Sequence, residues 1–220
     1  MDIKYLGHAS FFMKSKDAKL VTDPYDASIG IKFPKTEADI VTVSHQHRDH
    51  NRSDLVVAPP DQQILVIDMP GEFEKNGMRI FGFQSFHDKK KGAERGGNIL
   101  YKFEADGVSV LHCGDLGVVP EDSFLDAIGE VDVLMVPVGG FFTIDADDAA
   151  QLIKKVEPSI VIPMHYNQPK LDQKVFSKLG TVQEFLKKMG KENLPPVSKL
   201  TVKAEELEEE MKIVVMEISS

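Results

Sequence analysis

The order of short apolar segments along the chain is the feature that most restricts its fold. The first half holds closely spaced runs of β-strand character, which are Ile3–Leu6, Ser10–Lys14, Lys19–Thr22, Ile40–Val43, Gln63–Ile67, Met78–Gln84, Asn98–Glu104 and Val108–His112. The second half alternates strand-like and helical stretches, which are Glu121–Ile128, Val131–Val136, Asp145–Val156, Ser159–Pro163, Thr181–Met189 and Lys212–Ile218. Because helices and sheets each bury one face, this order predicts a layered α/β fold around one core.

The composition narrows the classes of partner. The 220 residues contain no Ser/Gly/Pro-rich linker, so we expect a single domain over residues 1–220. The net charge of −9 disfavours non-specific binding of nucleic acid or of an anionic membrane. No apolar run reaches the roughly 20 residues that span a bilayer. The N-terminus shows no signal peptide and Cys113 is the only cysteine, so we expect a cytoplasmic protein without intrachain disulfides.

Three histidines and an aspartate are concentrated in an H-x-H-x-D-H motif at residues 45–50. The motif directly follows an apolar run, which places it in a loop at the carboxyl end of a strand, where the sites of α/β folds collect. Alternate side chains of an extended stretch share one side, so His45 and His47 can face one ion. A turn at the middle of the motif would direct Asp49 and His50 to a second position. Imidazole and carboxylate ligands together suit Zn²⁺, Mn²⁺ or Fe²⁺ better than Ca²⁺ or Mg²⁺.

Residues of metal-ligand type also follow three other strand-like runs, and they are His87, Asp115 and His165. Taken singly, a histidine in this position is more often a buried structural residue, and Gly114-Asp115 is more often a turn. Taken together with the motif at residues 45–50, the four strand ends supply five imidazoles and two carboxylates. This set of side chains predicts a binuclear metal site.

In this order the residues resemble the metal ligands of the metallo-β-lactamase superfamily. Further segments resemble the branch that includes ascorbate-6-phosphate lactonase and the relatives of N-acylphosphatidylethanolamine phospholipase D, and they are Tyr5–Phe11, Thr22–Pro24, Gly114–Gly117 and Pro163–Tyr166. The resemblance covers essentially the whole chain. It implies a four-layer αββα sandwich with the metal ions at one edge.

The resemblance also implies a ligand for each ion. The first ion would be held by His45, His47 and His87, and the second by Asp49, His50 and His165. The two ions would be bridged by Asp115. The implied cofactor is a pair of divalent ions, with zinc as the first choice and manganese or iron as the alternatives.

Four neighbouring residues are candidates for supporting roles. Asp23 is predicted to orient a metal-binding imidazole or the motif loop, with a simple strand-end turn as the alternative. His8 would line the pocket or hydrogen-bond a ligand, or else pack as a structural histidine between two strands. Tyr166 and Asn167 follow His165 directly and would provide polar contacts or an oxyanion donor.

Two further segments and two single residues lie near these motifs in the sequence. Lys89–Arg95 is the densest cationic stretch, and it forms either a rim loop that steers an anionic substrate or a solvated flexible loop. Gly139–Thr143 could supply an apolar wall of the pocket. We expect Cys113 to be a buried thiol and His112 to face away from Asp115.

The hypothesis that follows is metal-assisted hydrolysis of a small ester, lactone or phosphodiester, with an anionic substrate as one option. A hydroxide held between the two ions would attack, so Asp49, which orients it, and Asp115, which bridges the ions, are the predicted catalytic residues. The alternatives are a metal-dependent nuclease or phosphodiesterase, a di-iron redox protein, and a non-catalytic binding module. His47 stands where the di-iron oxygen reductases of the superfamily have glutamate, which favours hydrolysis. The sequence specifies neither the exact substrate nor the oligomeric state.

Overall fold

Two β-sheets stacked face to face form the centre of the computed structural model, which describes residues 1–208 and 210–219. In chain order the strands are β1 (Asp2–Gly7), β2 (Ser10–Lys14), β3 (Lys19–Thr22), β4 (Thr36–Glu37), β5 (Ile40–Thr42), β6 (Val56–Val57), β7 (Leu65–Ile67), β8 (Gly71–Lys75), β9 (Met78–Phe86), β10 (Gly97–Ala105), β11 (Val108–His112), β12 (Val133–Pro137), β13 (Ile160–Met164), β14 (Leu200–Thr201) and β15 (Lys212–Ile213). One sheet has six strands in the order β14-β1-β2-β3-β5-β7, and the other has seven in the order β15-β13-β12-β11-β10-β9-β8.

Helical segments cover the outer faces of the two sheets. They are α1 (Asp122–Ile128), α2 (Ala146–Val156), α3 (Gln173–Phe176) and α4 (Val182–Lys188), with 3₁₀ turns at Ala27–Ile29, Ser53–Leu55 and Ala204–Glu206. Leu152 of α2 and Phe185 of α4 are buried in the same core as the strands of the seven-stranded sheet. A thinner layer, which includes α3 and the turn at Ala27–Ile29, covers the six-stranded sheet. The predicted αββα layer order is therefore confirmed. Within the described residues, none of the helices is both long and apolar enough to cross a bilayer.

Alternating side chains separate the two faces of the six-stranded sheet. Leu20 and Ile40 are buried in the core between the sheets, whereas Val21 and Val41 belong to a second apolar cluster on the outer face. Successive residues of a strand point to opposite faces, so each of these dipeptides contributes to both layers. In β12 all five residues are buried, as expected for a strand that is covered on both faces.

The hairpin predicted between β10 and β11 is confirmed. Its turn consists of Asp106 and Gly107, with φ values of 54° and 72°. Both central residues of a type I′ turn need positive φ, and Asp-Gly adopts this conformation readily.

Several elements differ from the sequence prediction. The short elements β4, β6, β14 and α3 and the edge strand β8 lie where the sequence predicts no element, and β8 has one aromatic residue among polar ones and is mostly exposed, so its sequence carries only a weak strand signal. The last strand, β15, ends at Ile213 rather than at Ile218. The chain leaves the seven-stranded sheet after this strand, and Ile218 pairs instead with Tyr5 of the other sheet.

One edge of the sandwich collects the carboxyl ends of six strands. β1, β3 and β5 run in one direction in the first sheet, and β9, β11 and β13 run in one direction in the second. The two edges touch where the backbone N–H of His165, after β13, donates to the carbonyl oxygen of His8, after β1, at 2.9 Å. The loops that follow these strands therefore converge at one end of the molecule, where α/β folds place their ligands.

Candidate metal centre

The carboxylate of Asp115 is the centre of the converging loops. Four imidazole Nε2 atoms approach it, and their distances are 3.8 Å for His45, 3.3 Å for His50, 3.1 Å for His87 and 3.2 Å for His165. The four histidines come from three different loops, and all four are buried. The fold thus brings together side chains that are spread along the sequence from position 45 to position 165.

The histidine-rich loop is held in place by Asp23. The Asp23 carboxylate accepts hydrogen bonds from the Ser44 backbone N–H at 2.7 Å, from Ser44 Oγ at 2.6 Å and from His50 Nδ1 at 2.9 Å. The bond from Nδ1 to Asp23 turns the Nε2 atom of His50 toward the centre, where it lies 3.3 Å from Asp115 Oδ1 and can bind an ion. Asp23 therefore occupies the position that an orienting carboxylate needs.

Ser44 fixes the tautomer of His45 in a similar way. The Ser44 hydroxyl donates to Asp23, so it can accept from His45 Nδ1, which lies 3.0 Å away. Burial, together with the neighbouring His50, lowers the pKa of His45 to about 3. His45 is neutral at pH 7, and its Nε2 lone pair is available to a metal ion.

The donor atoms fall into two groups that meet at the centre. His45, His47 and His87 form the first group, with ring centroids of neighbouring pairs 4.6 to 5.2 Å apart. Asp49, His50, His165 and His8 form the second. A third set of mutually close donors, which consists of His45, His50 and Asp115, connects the two groups. His47 is exposed and the Asp49 side chain is 25% exposed, so solvent reaches the centre on this side.

Buried polar atoms without partners show that the centre fits a metal ion. Among the described residues, His45 Nε2, His50 Nε2 and Asp115 Oδ1 are buried without a well-aligned hydrogen bond, although the last two lie 3.3 Å apart. Leaving such groups unsatisfied costs about 1–3 kcal/mol each. Two ligand atoms about 2.0–2.1 Å from a tetrahedral ion lie about 3.3 Å apart, close to the shorter separations around Asp115. Imidazole and carboxylate donors suit Zn²⁺, Mn²⁺ or Fe²⁺.

The charges at the centre also favour cations. Burial raises the pKa of a carboxyl group, but the imidazoles of His165 and His50 hold the pKa of Asp115 well below its usual range. The pKa values of Asp49 and Asp23 are likewise lowered despite burial, chiefly by His50. Burial lowers the pKa of His50, but Asp115 and Asp49 hold it well above its usual range, so the three buried carboxylates are stabilised by positive charge at the centre.

Asn98 supports Asp115 but carries no motif that the sequence analysis uses. Its Oδ1 accepts from the backbone N–H of Asp115 at 2.9 Å, and its Nδ2 donates to the carbonyl oxygen of Cys113 at 2.9 Å. Asn98 is fully buried in β10, whose other residues are mostly apolar. A lone amide in an apolar strand is the sequence signal that identifies it, because buried polar groups need partners.

Gly117 allows the loops that carry His87 and Asp115 to touch. A Cβ atom added at Gly117 would overlap the carbonyl carbon of His87, and the Gly117 N–H donates to the Phe86 carbonyl at 2.9 Å. A side chain at this position would force the two loops apart.

Two residues beside Asp115 take no part in the donor groups. His112 Nε2 donates to the carbonyl oxygen of Ala9 at 2.7 Å, and its Nδ1 accepts from the Gly114 N–H at 3.2 Å. Cys113 is fully buried, and burial raises the pKa of its thiol. Both placements agree with the structural roles expected for them.

Tyr166 and Asn167, which are predicted to provide polar contacts at the centre, make their described contacts elsewhere. His165 has a φ of 50°, so the chain turns at this residue. Tyr166 is buried in the main core. Asn167 Oδ1 accepts instead from Gln173 Nε2 at 3.2 Å.

The Lys89–Arg95 segment is an ordered loop built around Asp88. The Asp88 carboxylate accepts from four backbone N–H groups of the loop at 2.7 to 3.0 Å. Three cationic side chains of the loop already have partners, since Lys89 pairs with Asp148, Lys90 with Glu94, and Arg95 with the Phe141 carbonyl. This pairing weakens the interpretation of the loop as an anion-steering rim.

Comparisons with known proteins agree on one family. Residues 2–165 match the family model described as "Beta-lactamase superfamily domain". The chain is 30% identical over 189 residues to a UPF0173 metal-dependent hydrolase of Thermococcus kodakarensis, covering 75% of this chain and 84% of that protein. It is also similar to a solved Thermotoga maritima structure named as a Zn-dependent hydrolase of the metallo-β-lactamase superfamily, with a TM-score of 0.80, 36% identity and coverage of 98% and 97%. A metallo hydrolase of Ignicoccus hospitalis shares the fold at a TM-score of 0.66 and 20% identity, with coverage of 92% and 99%.

Proposed function

Because the chain belongs to the UPF0173 metal-dependent hydrolases of the metallo-β-lactamase superfamily, we propose that its histidine–aspartate centre holds two divalent ions and hydrolyses a small ester, lactone or phosphodiester. The observation that carries the proposal is the approach of four imidazole Nε2 atoms to the single carboxylate of Asp115. A carboxylate with two oxygens among four imidazoles is suited to bridge two cations.

The two donor groups suggest how the ions are shared. His45, His47 and His87 would hold one ion, and the buried His50 and His165 would hold the other together with Asp49, with Asp115 between them. Zinc fits this mixture of imidazole and carboxylate first, and manganese or iron are the alternatives.

The chemistry needs no nucleophilic side chain from the protein. When bound, the ions would polarise the substrate carbonyl or phosphoryl oxygen and lower the pKa of water from about 15.7 to about 7. Asp49 lies on the solvent-facing side of the centre, where its carboxylate would orient the attacking water. Hydrogen bonds would fix two of the ligands, since Asp23 holds the His50 ring and Asn98 holds the backbone of Asp115.

The substrate class rests on two considerations. The resemblance of Tyr5–Phe11 and Pro163–Tyr166 to the ascorbate-6-phosphate lactonase branch favours a lactone or a phosphorylated ester. Two of the loop's lysines pair with carboxylates, Lys89 with Asp148 and Lys90 with Glu94, which reduces the positive charge available to a strongly anionic substrate. A panel of lactones, carboxylic esters and phosphodiesters therefore covers the proposed range.

The proposal is tested by metal content and turnover of the Asp115→Ala variant. Protein loaded with zinc or manganese and then dialysed is expected to retain about two ions per chain by elemental analysis and to hydrolyse a member of the panel. Asp115→Ala should lose metal and turnover but keep the circular dichroism spectrum of the wild type. Asp132→Ala is the matched control, because the partly buried Asp132 carboxylate accepts, among the described residues, from Ser109 alone. Wild-type protein that binds no metal, or an Asp115→Ala variant with full activity, would refute the proposal.

A further inference from the structure

His8 is a fully buried histidine whose imidazole faces the carboxylate of Asp49. Its Nε2 lies 3.2 Å from Asp49 Oδ2, nearer than His50 Nε2 at 3.7 Å, and the four ligand candidates around Asp115 do not include His8. The His8 ring also lies against His165, with ring centroids 4.1 Å apart. His8 therefore contacts two residues that the proposed function assigns to the second ion, and it approaches both from the buried side.

The backbone of His8 is clamped in an uncommon conformation. Its φ is 57°, in the left-handed region that costs a non-glycine residue about 1–2 kcal/mol. Its carbonyl oxygen accepts from Tyr5 Oη at 2.9 Å and from the His165 N–H at 2.9 Å. Gln168 Nε2 in turn donates to Tyr5 Oη at 3.2 Å. Strained residues that are held by several bonds are concentrated at functional sites, so this clamp indicates that the position of the ring matters.

We propose that His8 is a positioning residue that sets the second ion site by holding the Asp49 carboxylate through Nε2 and the His165 ring by contact. The inference rests on the proposed function, since it assumes that Asp49 and His165 bind an ion. His8 Nε2–H donates to Asp49 Oδ2 and limits rotation of a carboxylate whose side chain is 25% exposed to solvent on its other side. Hydrogen-bond partners of metal ligands act in this way.

A positioning role of His8 should affect the binding affinity of only one of the two ions, and this difference can be measured. Among the described residues, His8 belongs to the donor group of Asp49, His50 and His165 and not to that of His45 and its partners. A change at His8 should therefore weaken binding of one ion and leave the other unchanged. A purely structural role would lower the stability of the protein without distinguishing between the ions.

The experiment is a titration of metal-free protein with cobalt(II), followed by visible absorption, for the wild type, His8→Leu and His8→Gln. The wild type should bind two ions. His8→Leu removes the donor and should weaken the second ion by about 10–100-fold while the first keeps its affinity. His8→Gln returns an N–H donor near the position of Nε2 and should restore the second affinity. The control is His112→Leu, another fully buried histidine whose bonds go only to backbone groups.

The outcome of the cobalt titration shows whether His8 is a positioning residue, a ligand or a structural residue. Equal affinities for both ions in the wild type and His8→Leu would overturn the inference and leave the proposed function standing. If His8→Gln loses the second ion as completely as His8→Leu, the imidazole is itself a ligand and the positioning role is wrong. Non-selective weakening, matched by His112→Leu, would assign His8 a structural role only. A wild type that binds fewer than two ions would overturn both proposals. Urea unfolding of each metal-free variant shows that it is folded.

Discussion

Replacing Asp23 by asparagine isolates the contribution of one buried charge to the centre. Asparagine has nearly the same shape and tolerates the φ of 42° that Asp23 adopts, so the backbone should not change. The aspartate accepts three hydrogen bonds, two at Oδ2 from Ser44 Oγ and His50 Nδ1 and one at Oδ1 from the Ser44 N–H. All three partners are donors, and an asparagine amide offers only one acceptor oxygen.

The loss in free energy of unfolding can be estimated, because three donors then face a side chain with one acceptor oxygen. If the amide oxygen of the substituted side chain takes the place of Oδ2, the amide nitrogen faces the Ser44 N–H, so one hydrogen bond is lost and two donors are buried without partners. The two remaining bonds lose the negative acceptor. With about 1–3 kcal/mol for each of the two unsatisfied groups, we expect Asp23→Asn to lower the free energy of unfolding by about 2–6 kcal/mol. A domain of this kind has only about 5–15 kcal/mol in total.

Urea unfolding of the metal-free protein and a metal titration measure the two effects of Asp23→Asn. His50 loses the carboxylate that orients it, so the affinity for the second ion should fall by about 10–100-fold. The matched control is Asp132→Asn, because Asp132 also accepts from a serine N–H at 2.7 Å and a serine Oγ at 2.8 Å but contacts no histidine. Asp132→Asn should lose stability without losing metal affinity. An Asp23→Asn variant with wild-type stability and wild-type affinity for both ions would refute the reasoning.

Three further predictions concern the surroundings of the centre. Gly117→Ala should lower the free energy of unfolding by about 1–3 kcal/mol in urea, because its Cβ would overlap the His87 backbone, and Gly180→Ala is the comparison, since the nearest atom to a Cβ there is the side-chain Glu184 Oε2 at 3.1 Å. Cys113 should not react with a thiol reagent until denaturant is added, since it is fully buried and burial raises its thiol pKa, and rapid reaction of native protein would contradict this. Arg95→Ala should speed hydrogen exchange of the backbone around Phe141, because Arg95 donates to that carbonyl at 3.2 Å, yet change global stability by less than about 1 kcal/mol.

Strand ends are the part of the site that the sequence predicts well. An apolar run followed by His87, Asp115 or His165 locates each residue at the end of a strand, and parallel strands bring such ends to one edge. The motif at residues 45–50 is located at the same edge, because it also follows an apolar segment that forms a strand. Hydrophobic patterning thus positions these residues even though the contacts between them span much of the chain.

Local backbone turns are the part that the sequence leaves open. Tyr166 and Asn167 follow a candidate ligand directly, and only the positive φ of His165 shows that the chain turns there. The order of the Lys89–Arg95 loop depends on Asp88, whose four hydrogen bonds to backbone N–H groups have no motif in the sequence. Both cases depend on single dihedral angles and side-chain rotamers, which composition and periodicity do not encode.

Anomalous X-ray scattering from crystals of the zinc-loaded protein at the zinc absorption edge tests the central claim most directly. Two peaks are expected, both in contact with the carboxylate of Asp115. One peak should also contact His45, His47 and His87, and the other Asp49, His50 and His165. A single peak, or two peaks of which one does not contact Asp115, would contradict the account.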